Sequence, residues 1–531
     1  MATSAWGEGR LEDHRWQWWT ASLLLVAGAG ARLWLAARTF LNPDEALHYF
    51  VAAQPSLPQT YTVSLTTAHP PLMFFLLHGC IKLGRSELFL RLPFVVCGVL
   101  FGWMLFLWVR RIAGEESALL TLAMVMLAPS LIALSAEVRQ YSLLLFFCAA
   151  CLYALERGFQ ENSSRWILVS AVGLWLALLT HYSALIFAAA AGVYGLVRLF
   201  GAKGLSMRTK SAWATEQAVA LGICAALFFT QVSKLRQSGV PAEIAATWLS
   251  QSTFHPGQDH VLIFAVSKTV RLFRYFFSHG SIGVVMLLLF VVAIAALFRG
   301  KARIGFARPL GVLLTLPFLI AVAVAVGELY PYGGTRHDVV LALFAIPGIA
   351  IGIDAVGGRI IGLRAKLAFL LLLLIVCDMF ASPTPPFIRP KDQQQRFMQD
   401  AIAFLNSQPH GSTVLADYQG GLVLGYYLCG RQSSLPFGPT PKRLVSSQCD
   451  DRTLLTHVGS QNSFESGEMP QVVRQAWGAA PNGVSSLWLF QTGWIDDRVA
   501  EWDKQLREIG CGNIHQFGAN IRVSRCERTA P

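Results

Sequence analysis

Apolar runs of bilayer-crossing length recur along the first three quarters of this chain, and nothing else constrains its fold as much. A transmembrane helix needs about 20 mostly apolar residues. Runs of that kind are read at Trp16–Ala37, Leu88–Val109, Ser117–Ser135, Tyr141–Glu156, Trp166–Thr180, Ala184–Leu199, Ala214–Val232, Ile282–Phe298, Leu310–Val326, Val339–Val356 and Leu367–Phe380. The expectation is an α-helical polytopic membrane protein with about eleven transmembrane helices over residues 1–387. The first run is too long, and its flanks too acidic, for a cleaved signal peptide, so it reads as an anchor.

Composition agrees. Only 14% of the 531 residues are charged and 54% are hydrophobic, whereas soluble domains carry roughly 25% charge. Those values exclude disorder, collagen and coiled coil, and the length excludes a small disulfide scaffold. The formal net charge is +12. Nearly all of that excess lies in the apolar part, where it reads as basic loops on the cytoplasmic side. No stripe of basic and aromatic residues points to nucleic acid.

Orientation turns on Pro70–Gly84 (PPLMFFLLHGCIKLG), which is apolar but short. Read as an interfacial helix, it leaves five basic groups on one side: Arg110/Arg111, Arg157/Arg165, Arg198/Lys203/Arg208/Lys210, Arg299/Lys301/Arg303/Arg308 and Arg359/Arg364/Lys366. The positive-inside rule then gives a cytoplasmic N-terminus and a C-terminal region outside. His260–Phe277 also reads as interfacial.

From residue 388 the composition becomes that of a soluble domain. Helical patterns at Asp392–Ser407 and Asp496–Ile509, strands at Thr413–Asp417 and Ser486–Phe490, and an extended Ile514–Arg525 suggest a small α/β domain over 388–531. It holds Cys429, Cys449, Cys511 and Cys526. In an oxidising compartment these form two disulfides in one of three pairings; otherwise they are four buried thiols.

The chemistry-bearing residues gather at one membrane face. The loop after the first span holds Asn42-Pro43-Asp44-Glu45. Adjacent carboxylates at a membrane surface need a reason. One reason is purely structural, because Pro43 suits the first helical position and the macrodipole favours acids in the first turn. The same face receives Glu137, Arg139 and Tyr141 (SAEVRQYS), His69 (HPP), His181 (THYS) and Arg336 with His337 (YPYGGTRH). For His181 alone an interfacial, solvated residue is the better reading, and for the arginines the two readings balance. Convergence of ionisable groups at short turns argues for a polar site more strongly than any member.

Taken in order, NPDEALHYF, AHPPLMFFLLHGCIKLG, SELFLRLPFVVCGVL, LSAEVRQYSLLL, THYSALIF and YPYGGTRHDVVL resemble the GT-C polytopic glycosyltransferases over roughly residues 16–360. The branch is the bacterial family-39-like one, akin to protein O-mannosyltransferases, the lipid A aminoarabinose transferase and Rgt-type transferases. The resemblance implies a polyprenyl-phosphate sugar donor used outside the cytoplasmic membrane, with a glycan, lipid or protein as acceptor. It implies Asp44 as catalytic base, with Glu45 completing the pair and Glu137 as the second-loop acid. Arg139 matches the arginine two positions later, His69 the histidine of the HPP motif, and Arg336 a cation facing the lipid phosphate. Tyr141, His181 and His337 join the substrate-binding set. Val138 and Gln140 depart slightly from the second-loop pattern. No cofactor is required and no metal-ligand set is evident, although a divalent metal stays open.

The expected activity is therefore an inverting glycosyltransferase of a bacterial plasma membrane. A lipid flippase or transporter is the alternative, since apolar spans serve it equally well. Transporters place binding residues near the midplane on repeated halves, whereas the motifs here sit at one face and no repeat is found. A mere anchor for the C-terminal domain leaves the acidic loop unexplained.

Overall fold

In the computed structural model, residues 5–201, 204–237, 244–245, 249–300, 304, 306–358, 360–380, 392–438, 440–459, 464, 467–481, 484, 486–493 and 499–528 are described. Lys203, Lys301, Arg303 and Arg359 of the basic groups, Asp496 and the expected 387/388 boundary lie outside them. By packing the chain forms two compact units. One comprises Met1–Trp34, Ala68–Met73 and Arg91–Pro385; the other comprises Leu35–Thr67, Phe74–Leu90 and Pro386–Pro531.

Eight described helices are long and apolar enough to cross a membrane, where eleven spans were expected: Arg15–Arg38, Glu87–Ala113, Tyr141–Gln160, Ala184–Gly201, Met207–Gln237, Gly280–Phe298, Ala307–Val326 and Arg336–Gly357. Of the other three runs, two are shorter helices and the third is a bent pair that is together long and apolar enough for one span. Trp166–Thr180 is the 15-residue helix Ser164–Leu178, and Leu367–Phe380 is the 17-residue helix Leu363–Met379. Ser117–Ser135 is broken into Glu115–Leu127 and Pro129–Ser135, bent by 59°. The break follows from Pro129, whose ring disfavours the helical backbone at the residue before it. Ala128 is accordingly extended, at φ −66° and ψ 126°.

A helix that stops among apolar neighbours leaves carbonyls without donors. Arg32, fully buried, supplies them in the first unit. Its Nη1 donates to Met126 O at 2.8 Å and to Gly28 O at 3.0 Å, and its Nη2 donates to Val125 O at 2.9 Å. Gly28 permits this approach, because a Cβ there would lie 2.4 Å from Met126 Cε. A second irregularity lies in the helix Met207–Leu227, which continues through a π turn, Phe228–Val232. Only Gln231 in that turn is buried. Pro70–Gly84 holds the 12-residue helix Leu72–Leu83, and His260–Phe277 holds the helix Val261–Phe277, which buries Phe264, Leu272, Phe273, Tyr275, Phe276 and Phe277.

The second unit contains a six-stranded sheet: β1 (Thr413–Ala416), β2 (Arg443–Cys449), β3 (Arg452–Val458), β4 (Ser486–Thr492), β5 (Cys511–Phe517) and β6 (Ile521–Glu527), in the order β2-β3-β1-β4-β6-β5. β1 runs parallel to both β3 and β4. Leu415, Leu455, Leu487 and Leu489 point from the sheet onto Met469, Val472, Val473, Trp502 and Leu506 of two covering helices, Met469–Ala479 and Val499–Glu508. The expected extended run Ile514–Arg525 is instead parts of two antiparallel strands, because Gly518 takes a positive φ of 68° and turns the chain. The four cysteines are paired as Cys429–Cys449 and Cys511–Cys526. Sheet register dictates the latter, since the two residues face each other across β5 and β6.

Arg32→Leu leaves the two broken-helix carbonyls without donors at a cost of about 2–4 kcal/mol. The detergent-solubilised variant should melt several degrees below wild type, with Arg32→Lys recovering part of the loss. An unchanged melting temperature would contradict this account of the break.

Candidate active site

Two sets of the expected residues are built, one in each unit. Asp44 and Glu45 belong to the second unit; His69, Glu137, Arg139, Tyr141, His181, Arg336 and His337 belong to the first.

The acid turn opens the helix Pro43–Ala52. Asn42, extended at φ −71° and ψ 167°, is its N-cap. The Asn42 side chain accepts from Glu45 N at 3.0 Å, and Glu45 Oε2 accepts from Asn42 N at 3.0 Å. This reciprocal capping box satisfies two orphan donors. It gives the fully buried Glu45 a structural task and leaves Asp44, which is half-buried, as the more accessible acid.

The approach to the turn is held at several points. Phe40 N donates to Gln393 O at 3.0 Å, Gln393 Nε2 donates back to Phe40 O at 2.5 Å, and Thr39 bridges Gln394. Leu41 N donates to the hydroxyl of Tyr427 at 2.8 Å. Tyr427 ends the helix Tyr418–Tyr427, which packs on the acid helix. Gly425 makes that packing close, because a Cβ there would lie 3.1 Å from Phe50 Cζ and 2.9 Å from Gln432 O. Asp417 caps this second helix, accepting from Gly420 N at 2.7 Å, and burial pushes its carboxyl up to about 7.

In the first unit Glu137, Arg139 and Tyr141 follow the short helix Pro129–Ser135. Arg139 N donates to Glu137 O at 2.8 Å, which tightens the turn. The buried Arg139 guanidinium lies 5.6 Å from the Tyr141 ring centroid. Tyr141 meets His181 edge-on at 5.3 Å, and His181 stacks on His69 at 5.9 Å. His69 is fixed twice: Gln140 Nε2 lies 3.0 Å from its Nδ1, and Gln231 Nε2 donates to its carbonyl at 2.8 Å. Gln231 Oε1 in turn accepts from Tyr182 Oη at 2.7 Å. His181 Nδ1 accepts from Ser183 N at 3.2 Å, which assigns the ring proton of neutral His181 to Nε2. Burial, reinforced by Arg139, lowers His181 to about 3.

Arg336 and His337 follow a tight loop. Asp338 Oδ2 accepts from Gly333 N at 2.9 Å and from Thr335 Oγ1 at 3.4 Å. Gly334 passes so near Arg271 that a Cβ there would lie 2.7 Å from the Arg271 carbonyl oxygen. Arg336 is buried and His337 half-buried. The buried Tyr275 hydroxyl feels Tyr141, Arg336, Glu137 and Asp338 together; burial first, then Tyr141, raises it well above the usual tyrosine range. Six of the expected residues of this unit thus converge, with Tyr275, Gln231, Gln140 and Asp338 as further members, while the seventh, His337, accepts at its carbonyl from Tyr330 Oη at 3.3 Å. A lone glutamine in an otherwise apolar run was the available signal for Gln231. Tyr275 lay in an amphipathic stretch far from every motif. Among the described residues no three His, Cys, Asp or Glu side chains are grouped to hold a metal ion.

The model of the dolichyl-phosphate-mannose-protein mannosyltransferase family matches residues 68–229, a stretch that includes His69, Glu137, Arg139, Tyr141 and His181. No curated protein sequence matches the chain. Among solved structures, ArnT from Cupriavidus metallidurans in the apo state superposes with a TM-score of 0.54 at 13% identity, covering 97% of this chain and 98% of that one. The chain has the GT-C glycosyltransferase fold. ArnT bound to undecaprenyl phosphate gives a TM-score of 0.49 at 14% identity, covering 96% and 98% of the two chains. The Archaeoglobus fulgidus oligosaccharyltransferase in the apo form gives 0.48 at 11%, covering 94% and 74%. The fold and the apolar helices together make this a multi-pass membrane protein.

Two stability outcomes follow. Glu45→Gln preserves the capping box and should melt with wild type, whereas Glu45→Ala should cost about 1 kcal/mol. The folded pKa of His181 lies below its ordinary 6.5, so its contribution is fully present above pH 6.5 and is lost as pH falls toward about 3. The stability gap between wild type and His181→Gln should therefore narrow between pH 7 and pH 4, by at most about 1.4 kcal/mol per pH unit. A gap that stays constant with pH would contradict a buried, neutral imidazole.

Proposed function

We propose that the chain is an inverting glycosyltransferase. It moves a sugar from a polyprenyl-phosphate donor to an acceptor hydroxyl, outside the cytoplasmic membrane of a bacterium. The observation that carries the reading is the division of labour in the acid turn: Glu45 is consumed as a cap and Asp44 is presented at the same helix start. Support comes also from the GT-C fold and from the two buried arginines gathered with Glu137. The donor type is carried over from ArnT, one crystal structure of which is bound to undecaprenyl phosphate.

The chemistry needs little more. The acceptor oxygen attacks the anomeric carbon, the bond from that carbon to the phosphate oxygen breaks, and the hydroxyl proton passes to the Asp44 carboxylate. Polyprenyl phosphate leaves with its bonding electrons, so no general acid is required. Arg336 and Arg139 offset the charge that grows on the phosphate. Glu137 holds sugar or acceptor hydroxyls, with Tyr141, His69, His181 and His337 around it. Residues 388–531 form an extracytoplasmic domain, consistent with its paired cysteines.

The test pairs wild type with Asp44→Asn in nanodiscs, a panel of polyprenyl-phosphate sugars and a mixed acceptor extract, followed by mass spectrometry. Wild type should consume one donor and release polyprenyl phosphate. Asp44→Asn should fall at least ~100-fold, and Arg336→Ala about 100- to 1,000-fold. Equal turnover by wild type and a folded Asp44→Asn would remove Asp44 from the role of base.

A further inference from the structure

Within the second unit an open cleft of about 250 Å³ is lined by Glu87, Tyr426, Tyr427, Gly430 and Arg431, the last two exposed. Pockets for drug-sized ligands run to roughly 300–1,000 Å³, so this smaller space suits a single ring. Among the described residues its walls carry two tyrosine rings, a carboxylate and a guanidinium, and no aliphatic residue. Such walls offer a polyprenyl tail only the faces of two rings. The opposite charges of Glu87 and Arg431 also give a phosphate no net attraction. They do suit a polyhydroxylated ring. Arg431 presents a rigid fork of donors, Glu87 accepts from neighbouring hydroxyls, and aromatic faces cover the apolar C–H side of a sugar.

The cleft is built rather than incidental. Arg431 holds a left-handed backbone at φ 64°, directly after Gly430 at φ 61°. A non-glycine residue in that region is uncommon, and it persists only where its surroundings hold it there. Those surroundings are the Cys429–Cys449 disulfide and the hydrogen bond from Gln432 N to Cys429 O at 3.1 Å. The Arg431 guanidinium lies 5.3 Å from the Tyr426 ring centroid, and Tyr426 Oη donates to Arg85 O at 2.5 Å. Gln395 Nε2 donates to Glu87 Oε1 at 3.2 Å and orients that carboxylate. The cleft is also linked to the acid turn. Tyr427 lines it and accepts from Leu41 N, three residues before Asp44, while Tyr426 packs edge-on against Tyr49 of the acid helix at 5.0 Å.

We propose that this cleft is a saccharide subsite that takes one uncharged sugar ring of the acceptor next to the Asp44 turn. Its assignment to the acceptor rests on the transferase reading above; its binding of a sugar ring does not. The test uses the full chain in nanodiscs and saturation-transfer NMR, with the methyl glycosides of glucose, galactose, mannose and N-acetylglucosamine as probes. At least one glycoside should give signals that fall five-fold or more in Glu87→Gln/Arg431→Gln. Undecaprenyl phosphate binding should stay within two-fold of wild type. Arg431→Gly removes the guanidinium while suiting the left-handed backbone, so it repeats the measurement in a chain that folds even if the double variant does not. No glycoside signal from wild type, or equal signals from the variants, would overturn the proposal. Parallel loss of undecaprenyl phosphate binding would assign the cleft to the donor and overturn it as well. The readout needs no turnover, so an inactive transferase assay would sink the functional reading without deciding this one.

Discussion

Backbone polar groups in an apolar surround must find partners inside the protein, and that constraint shapes the first unit. Where Pro129 ends a helix early, the carbonyls of Val125 and Met126 face no water, and the guanidinium of Arg32 takes both. A buried cation is itself costly. Here it is offset by carbonyl oxygens at a helix C-terminus, where the macrodipole is negative. The π turn at Phe228–Val232 is a second local departure from helical pairing, and it carries the buried Gln231 that holds both His69 and Tyr182. Irregular backbone within spans thus coincides with the residues that build or brace the polar cluster.

The same demand for partners separates the two acids of the first loop. Glu45 is fully buried, and its carboxylate answers an orphan amide in the cap. Asp44 occupies the same first turn without that cap assignment. Adjacent acids of identical chemistry therefore acquire different tasks from one helical turn of geometry. The reaction proposed for Asp44 asks only for a carboxylate that accepts one proton. The approach strand pinned by Gln393, Gln394 and Tyr427 fixes where that carboxylate begins.

Much of this was legible in the sequence, for identifiable reasons. Eight spans were readable because uninterrupted apolar runs leave few alternatives. The break at Ala128–Pro129 was hidden inside an apolar run, although proline itself was the signal. Pro43 at the helix start with acids in the first turn was legible, whereas the reciprocal cap of Asn42 and Glu45 came from the structure. The convergence of Glu137, Arg139, Tyr141, His69, His181 and Arg336 followed from their shared position at span ends. Tyr275 was not legible, because its helix reads as amphipathic and carries no motif. The hairpin of β2 and β3 was missed because β2 is largely exposed and lacks a clean alternation. Pairing of the cysteines awaited the register of β5 on β6.

The central claim is one direct displacement at the anomeric carbon, with Asp44 taking the acceptor's proton. The anomeric configuration of the transferred sugar, read by NMR on product made from a donor of known configuration, tests it most directly. A single displacement predicts inversion in every product molecule. Retention would require a second displacement or a covalent glycosyl intermediate, and would contradict the account.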